Sequence, residues 1–255
     1  MRKIELVSWR DIPKRVESIR RSMEEIYGVE LTVEFKMVPL DCLYPTESFL
    51  EKDKLALIFM KVIKEGYKVP IIAVKSDRDY FILDGHHRSF ISKKLMEKKI
   101  GAYILRFPKS KGYRVHLKRP LERLPIKDVA AVDDPILRAW GQILTLLKYY
   151  EALYHVSFNF RMRDVPLNSL VPTQPQTRKK QIASIKRLLV PIVCIEYQDR
   201  FYILDGHARS LRAKQLELNS IEAIVLSPEI KIDFGIVMTA REMGLKCLED
   251  IEIID

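Results

Sequence analysis

The stretch that decides the fold is Phe81-Ile82-Leu83-Asp84-Gly85-His86-His87-Arg88-Ser89, which returns as Tyr202-Ile203-Leu204-Asp205-Gly206-His207-Ala208-Arg209-Ser210. Both copies place three apolar residues before an Asp-Gly pair and a His and an Arg after it. The apolar run predicts a buried strand, and the glycine predicts a sharp turn into a helix. The polar residues of the two copies differ at one position, where Ala208 stands in place of His87.

The similarity extends well beyond this motif. Asp84 and Asp205 are 121 residues apart, and further upstream the spacing becomes 127, so the second copy is six residues shorter in between. These spacings relate Val69–Ile72 to Val190–Val193, Val38–Leu40 to Val165–Leu167, and Tyr44–Glu47 to Val171–Gln174. A repeat of roughly 125 residues is long enough to have its own core. The sequence therefore predicts two tandem domains, residues 1–132 and 133–255.

The composition is that of globular domains, with 47% hydrophobic and 31% charged residues. No apolar run approaches the ~20 residues that span a bilayer, and the first residues lack a secretory hydrophobic region. We therefore expect a cytoplasmic protein with no membrane partner. Three cysteines without paired spacing predict neither a disulfide framework nor a zinc site, and no residues are assigned to a resident metal.

The chain is basic, with a net charge of +10 and a pI near 9.4. Such a charge favours polyanionic partners, but it does not separate nucleic acid from nucleotide phosphates. Basic residues concentrate in residues 10–21, 109–119 and 178–186. Binding of nucleic acid through this surface is one interpretation, and a solvated helix face or loop is the more ordinary one.

The apolar spacing within the first copy predicts an α+β fold. We expect a helix over 13–27, a strand over 29–38, a helix over 52–64 ended by Gly66, a hairpin of strands 69–74 and 80–83, a helix from about His87, and a strand over 102–105. The motif then lies where a strand passes into a helix.

A strand-to-helix junction of this composition has the chemistry of a phosphate site. Gly85 lets a ligand approach the backbone, and the first turn of the helix presents unpaired amides. Arg88 offers a fork of donors to phosphate oxygens, while His86 and His87 can donate hydrogen bonds or move protons. Asp84 could bind a hydroxyl, orient a histidine or hold Mg²⁺. The alternative is that Asp84 merely caps the helix and the histidines pack or face solvent.

The Asp-Gly-His-His-Arg string at such a junction resembles the ParB/sulfiredoxin superfamily, whose members hold nucleotide phosphates there. The resemblance covers both halves and implies two tandem domains of that fold, each a small mixed sheet with packed helices. His86 stands where sulfiredoxin-like enzymes have their reactive cysteine, and the helix-turn-helix domain of ParB partition proteins is not evident. The closer resemblance is to the archaeal free serine kinases, which carry Asp-Gly-His-His-Arg.

Those kinases also carry a segment of the form Leu-Asp-x-x-x-Pro-x-Glu, present here as Leu40-Asp41-Cys42-Leu43-Tyr44-Pro45-Thr46-Glu47. The resemblance implies that Glu47 is the general base that takes the proton of a hydroxyl. Asp84 and His87 are the other catalytic candidates. ADP or ATP with Mg²⁺ is the implied cofactor, held by Asp84, Gly85, His86, His87 and Arg88. By itself, Glu47 could equally stabilise the start of a helix.

The second copy departs from this pattern where the chemistry would occur. Gln174 stands in place of Glu47, and Ala208 removes the second imidazole. The copy retains Asp205, Gly206, His207 and Arg209. We therefore predict a degenerate regulatory or structural half, whose pocket could still hold a phosphate or nucleotide without catalysing transfer. The alternative is that the second domain helps to close the first active site or forms the interface that a dimeric relative makes between separate chains. Two related domains could form a pseudo-dimer within a monomer, or the chain could form a homodimer.

Two main hypotheses of function follow. In the first, the protein is a kinase that transfers phosphate from a nucleotide to serine or a similar small hydroxylated metabolite. In the second, it is a ParB-like regulator that binds nucleotide or DNA without phosphotransfer, with the basic segments contacting phosphates. Glu47 favours the first, because a binding protein needs no base there. A nuclease that uses the two histidines and a metal on Asp84 ranks third.

Overall fold

The computed structural model describes residues 4–109, 112–113, 118–129 and 134–255. Contacts between Cα atoms divide the chain into two compact units, Met1–Leu144 and Thr145–Asp255. The boundary predicted between residues 132 and 133 lies outside the described residues. The division between the units falls inside a helix.

The first unit is built on a five-stranded mixed sheet. Its elements are α1 (Ile12–Tyr27), β1 (Thr32–Pro39), β2 (Leu43–Pro45), β3 (Leu50–Glu51), α2 (Lys52–Glu65), β4 (Ile71–Ser76), β5 (Asp79–Asp84), α3 (His86–Lys94), β6 (Lys99–Arg106) and β7 (Ile126–Lys127). The strand order is β1-β6-β4-β5-β2, in which the β1–β6 and β4–β5 pairs are antiparallel and the β6–β4 and β5–β2 pairs are parallel. A separate parallel pair joins β3 to β7.

The second unit repeats this arrangement. Its elements are α4 (Pro135–Tyr154, shared with the first unit), β8 (Phe158–Pro166), β9 (Leu170–Val171), β10 (Gln176–Arg178), α5 (Lys179–Ser184), β11 (Ile192–Tyr197), β12 (Arg200–Asp205), α6 (His207–Gln215), β13 (Ser220–Pro228), α7 (Gly235–Glu242) and β14 (Glu252–Ile254). The strand order is β8-β13-β11-β12-β9 with the same directions, and β10 pairs with β14 in parallel. The predicted α+β class with two tandem mixed sheets is confirmed.

The elements of the first unit follow from local sequence. The central strand β4 has four consecutive fully buried residues at its start, as expected of a strand covered on both faces. Ile12 and Val16 lie one turn apart and bury one face of α1 against Ile72 and Phe81. Gly66 ends α2 at φ 64°, a conformation that glycine adopts without strain.

The six-residue deletion in the second copy falls in one helix. Helix α2 has 14 residues, whereas α5 has six. Leu55 and Ile182, 127 residues apart, are both buried near the starts of these helices. The two helices therefore begin in the same register, and the deletion removes the later turns.

Helix α4 contributes residues to both units. Trp140 is fully buried and packs edge-on against Phe59 of α2 at 5.2 Å, within the first unit. Towards the other end, Tyr154 packs edge-on against Phe234 at 5.4 Å, within the second unit. Within the described ranges, no helix has the length and apolarity needed to cross a membrane.

Candidate functional site

The motif forms a tight corner between β5 and α3. Strand β5 carries one extra residue opposite Ile72 and Ala73, a bulge that turns the following Asp84. Gly85 follows at φ 105°, where a Cβ would lie 2.5 Å from Cγ2 of Ile71. Only glycine fits this corner. In the second unit, Gly206 has φ 108° and the same bulge precedes it.

The topology of the sheet brings Glu47 to the same corner. Strand β2 is parallel to β5, with Pro45 opposite Ile82, so both strands end at the same edge of the sheet. The chain that leaves β2 is held against β5, because the Thr46 hydroxyl donates to the carbonyl oxygen of Ile82 at 2.6 Å. The amides of Thr46 and Glu47 donate to Nε2 of His86 at 3.0 and 3.2 Å. Glu47 is thereby positioned beside the start of α3.

His86 holds the chain after β2 in place by accepting these two amides, an arrangement that we call the histidine clamp. His86 is 1% exposed, and because its Nε2 accepts the two amides, its ring proton lies on Nδ1. Glu47 Oε1 is 3.2 Å from Nδ1, but outside hydrogen-bonding geometry. His207 repeats the clamp in the second unit, where it accepts the amide of Thr173 at 3.0 Å.

His87 makes a second connection, which the other copy lacks. Its Nε2 accepts the amide of Glu51, the residue immediately before α2, at 2.9 Å and so ties the start of α2 to α3. Burial, reinforced by the charge of Lys54, lowers the pKa of His87 to about 3. His87 is therefore neutral at physiological pH, with Nδ1–H as its remaining donor. Ala208 cannot make this bond.

Asp84 and Arg88 form a partly buried ion pair at the corner. Nη2 of Arg88 donates to Oδ2 of Asp84 at 3.2 Å and to the Pro70 carbonyl oxygen at 3.3 Å. Nη1 of Arg15, from α1, lies 3.7 Å from Oδ1 of Asp84. The Arg88 side chain is 8% exposed, and its buried Nε makes no hydrogen bond with the described residues. Arg88 therefore keeps donor capacity for a ligand.

These groups line a polar cleft of about 60 Å³ in the first unit. Its charged lining residues are Glu5, Arg15, Glu47, Lys54, Asp84 and Arg88, and Leu6 and Val7 of the N-terminal segment also line it. The cleft has room for a group the size of a phosphoryl group or for a few waters, since a water needs about 10–15 Å³ of such volume. A whole drug-sized ligand occupies about 300–1,000 Å³. A nucleotide would therefore extend beyond the cleft.

Glu47 is ionised at neutral pH. Its partial burial acts to raise its pKa, but His86 and the nearby charge of Lys54 outweigh burial, and its pKa is lowered below the ordinary value. The side chain is 48% exposed. Glu47 can therefore reach a ligand from the mouth of the cleft as a carboxylate.

All the residues predicted for the first site line this cleft, but the predictions omitted two of its positively charged residues. Lys54 lies on α2, one turn from Ile58, which also lines the cleft, and Arg15 lies on α1. Comparison of the two copies could have identified both cations. Three charged residues of the cleft are each matched by a glutamine 127 residues later: Arg15 by Gln142, Glu47 by Gln174, and Lys54 by Gln181.

The second motif keeps the scaffold of the first. Arg209 donates to Asp205 at 2.6 Å, and burial lowers the pKa of His207 to about 4. The Asp205 side chain is 54% exposed, against 21% for Asp84. Gln174 is exposed. The second motif therefore preserves the corner, the clamp and the Asp–Arg pair, but it lacks the charges of Arg15, Glu47 and Lys54.

The carboxylates of the cleft could hold Mg²⁺ only together with the oxygens of a bound phosphate. Among the described residues, no three His, Cys, Asp or Glu side chains are grouped so that they could hold a metal ion. Glu5, Glu47 and Asp84 are the carboxylates in the lining, and Asp84 is already paired with arginine. Mg²⁺ is commonly bound by one or two carboxylates together with substrate phosphates. This donor set fits that mode.

The basic segments are partly accounted for by ion pairs. On α1, Arg20 and Arg21 both pair with Glu17, at 3.0 and 2.6 Å. Part of the segment 109–119 lies outside the described residues. The segment 178–186 begins with three exposed residues, Arg178 at the end of β10 and Lys179 and Lys180 at the start of α5.

The chain was compared with known proteins. No protein-family model matches it. An uncharacterized protein of Methanocaldococcus jannaschii is 34% identical over 125 residues, 48% of this chain and 46% of that protein, so the chain spans about half the length of this relative. Solved structures with similarity include protein Atu1540 from Agrobacterium tumefaciens, with TM-score 0.29 and 15% identity over 49% of this chain and 89% of that one. A conserved hypothetical protein from Pyrococcus furiosus has TM-score 0.25 and 13% identity over 83% and 77%.

Proposed function

We propose that the first unit is a nucleotide-dependent small-molecule kinase of the free serine kinase type within the ParB/sulfiredoxin superfamily. It transfers a phosphoryl group to the hydroxyl of a free amino acid such as serine, or of a similar metabolite. The observation that carries this proposal is the selective difference between the copies. Both keep the corner and the clamp, but only the first has Arg15, Glu47 and Lys54 in a cleft of phosphoryl size.

Phosphate binding is supported by the donors around the cleft. The amides in the first turn of α3 have no capping side chain at Gly85, so they are available to an anion. Arg88 is buried, and its Nε makes no hydrogen bond with the described residues. Lys54 and Arg15 add positive charge. Such preorganised donors stabilise the charge that spreads over a phosphoryl group during transfer.

Glu47 is suited to activate the acceptor. As a carboxylate it accepts the proton of the acceptor hydroxyl, while the hydroxyl oxygen forms a bond to the terminal phosphorus. The bond from that phosphorus to the bridging oxygen breaks, and the shortened nucleotide leaves with the electron pair. A low pKa makes Glu47 a weak base, which is sufficient because phosphoryl transfer depends mainly on positioning. When bound, Mg²⁺ would neutralise phosphate charge, with Asp84 or Glu47 as its protein ligand.

The histidines serve mainly to position other groups in this scheme. His86 orients Glu47 through the two amides it accepts, and neutral His87 fixes the start of α2, on which Lys54 lies. The Nδ1–H of His87 remains as a donor to a phosphate oxygen. Asp84 holds Arg88 in place.

The proposal is tested with Glu47→Gln, a residue that the second copy tolerates at the same place. We expect the rate of phosphorylation of serine or a related alcohol, with ADP, ATP or CTP plus Mg²⁺, to fall by ~10²–10⁴-fold. Nucleotide binding should persist. The matched control, Gln174→Glu, should leave the rate unchanged.

Two results would contradict the proposal. Nucleotide binding by the wild type without transfer to any acceptor would favour a ParB-like regulator that binds nucleotide or DNA. If the wild type bound no nucleotide at all, the phosphate site itself would be wrong.

A further inference from the structure

A second depression in the first unit shares Arg88 with the polar cleft. Its volume is about 240 Å³, and its lining is mainly apolar, with Trp9, Phe35 and Met37 among its walls. These three side chains are 55%, 51% and 55% exposed. Large apolar side chains that remain exposed together at one concave place indicate a binding site.

A glycine lets the Phe35 ring lie close to the sheet in this depression. Gly101 of β6 lies opposite Met37 of β1, and a Cβ at this position would come within 3.2 Å of Cζ of Phe35. At the corresponding position of the second sheet, Glu222 lies opposite Asp164. The second copy thus has two carboxylates where the first has a glycine and a methionine. The depression and the charged cleft therefore occur in the same copy.

Two features join the depression to the cleft. Arg88 lines both, and its Nε has no hydrogen-bond partner among the described residues. One N-terminal segment also borders both, because Val7 lines the cleft and Trp9 lines the depression. The hydroxyl of Tyr67 holds this segment by donating to the carbonyl oxygen of Val7 at 2.7 Å.

We infer that the apolar depression holds the nucleobase of the nucleotide whose phosphates occupy the polar cleft, an inference that rests on the proposed function. The cleft takes only a phosphoryl group, so the remainder of the ligand must lie outside it. The depression has room for one flat base, and exposed Trp9 and Phe35 offer ring faces for stacking. Arg88, shared by both, offers its cation to the phosphates.

The test separates the base from the phosphates. Binding of ADP, and of inorganic pyrophosphate as a probe without a ring, is measured by calorimetry on the wild type, Gly101→Gln and Trp9→Ala. Glutamine at position 101 would displace the Phe35 ring from its place without adding charge, and Trp9 is exposed. We expect the affinity for ADP to fall by ~10-fold in each variant, the typical loss of one stacked base. The affinity for pyrophosphate should change by less than about twofold, within the cost of a distant surface substitution.

Tryptophan fluorescence gives an independent readout. Trp9 and fully buried Trp140 are the two tryptophans of the chain. ADP should quench the fluorescence of the wild type, while pyrophosphate should not, and the quenching should vanish in Trp9→Ala. Unchanged ADP affinity in Gly101→Gln would overturn the base site while leaving the phosphate site intact. Failure of the wild type to bind either probe would overturn both.

Discussion

At the scale of single residues, the two histidines of the motif act through their unprotonated nitrogens. Each accepts a backbone amide at Nε2, His86 from the chain after β2 and His87 from the start of α2. The sequence could identify these side chains as a pair, because they stand next to Asp84-Gly85. It could not assign their partners, which are 40 and 36 residues away in sequence. Thr46 meets His86 through the parallel pairing of β2 with β5, and Glu51 meets His87 where β3 and α2 pack against α3.

Burial of His87 predicts a dependence of stability on pH. Its pKa is lowered to about 3 in the folded protein, whereas an unfolded histidine has a pKa near ~6.5. Below pH ~6.5 the unfolded chain binds a proton that the folded chain does not, so stability is fully present above that pH and is lost as pH falls towards 3. Each such histidine contributes a slope of up to ~1.4 kcal/mol per pH unit. His207, with a pKa of about 4, acts in the same direction.

We therefore expect His87→Gln to weaken this dependence. The glutamine oxygen can still accept the Glu51 amide, but the side chain does not titrate. The free energy of unfolding, measured with urea at pH 7, 6, 5 and 4.5, should fall less steeply with acid than in the wild type. His207→Gln should act similarly, and the two effects should add. Equal slopes in the wild type and His87→Gln would show that His87 is not held neutral by burial.

At the scale of elements, most of the first unit could be predicted from apolar spacing. The expected helices over 13–27 and 52–64 became α1 and α2 with ends displaced by a single residue. The expected strand over 69–74 became β4 at 71–76, because the apolar run includes residues that approach the strand without joining the ladder. Strand β2 and the pair β3–β7 could not be predicted. They have two or three residues each, too few to show a period, and depend on partners distant in sequence.

The two cations of the cleft, Lys54 and Arg15, could not be predicted as site residues from the sequence of one copy, for a related reason. Lys54 and Arg15 lie on helices whose apolar faces can be predicted, but the register of each helix against α3 is set by packing. A charged residue at the border of an apolar face resembles any solvated lysine or arginine. Only comparison of the copies distinguishes these two, through Gln181 and Gln142.

The corner between β5 and α3 predicts an unusually severe effect of a small substitution. Gly85→Ala would combine a φ of 105° with contacts of 2.5 Å to Ile71 and 2.8 Å to Arg88. We expect a loss of ~2–4 kcal/mol in the free energy of unfolding, measured with urea. Gly66→Ala is the matched control, because it also has positive φ but nothing lies within 4 Å of the added Cβ. It should cost only ~1 kcal/mol. Equal losses would mean that conformation alone, and not close packing, fixes this corner.

At the scale of the whole molecule, comparison of the two copies distinguishes the residues that hold the fold from the residues that give the first cleft its charge. The glycine corner, the bulge and the histidine clamp occur in both units, so they belong to the scaffold. The charges matched by Gln142, Gln174 and Gln181, and the second imidazole, occur only in the first. If the first copy binds anions and uses Glu47 as a base, as proposed, the glutamines would remove both properties without leaving a buried charge unpaired.

This division predicts one nucleotide per chain. Calorimetric titration with ADP should give a stoichiometry of one, because the second corner offers Arg209 without the further cations of the first. Lys54→Gln should lower the affinity by ~5- to 10-fold, the value of one charge-assisted contact, while Gln181→Lys should leave the affinity and stoichiometry unchanged. Both substitutions exchange residues that the two copies already carry at corresponding places. Two equivalent sites, or equal effects of the two variants, would show that Arg209 and the amides of α6 suffice for binding, and that the degenerate copy remains a nucleotide site.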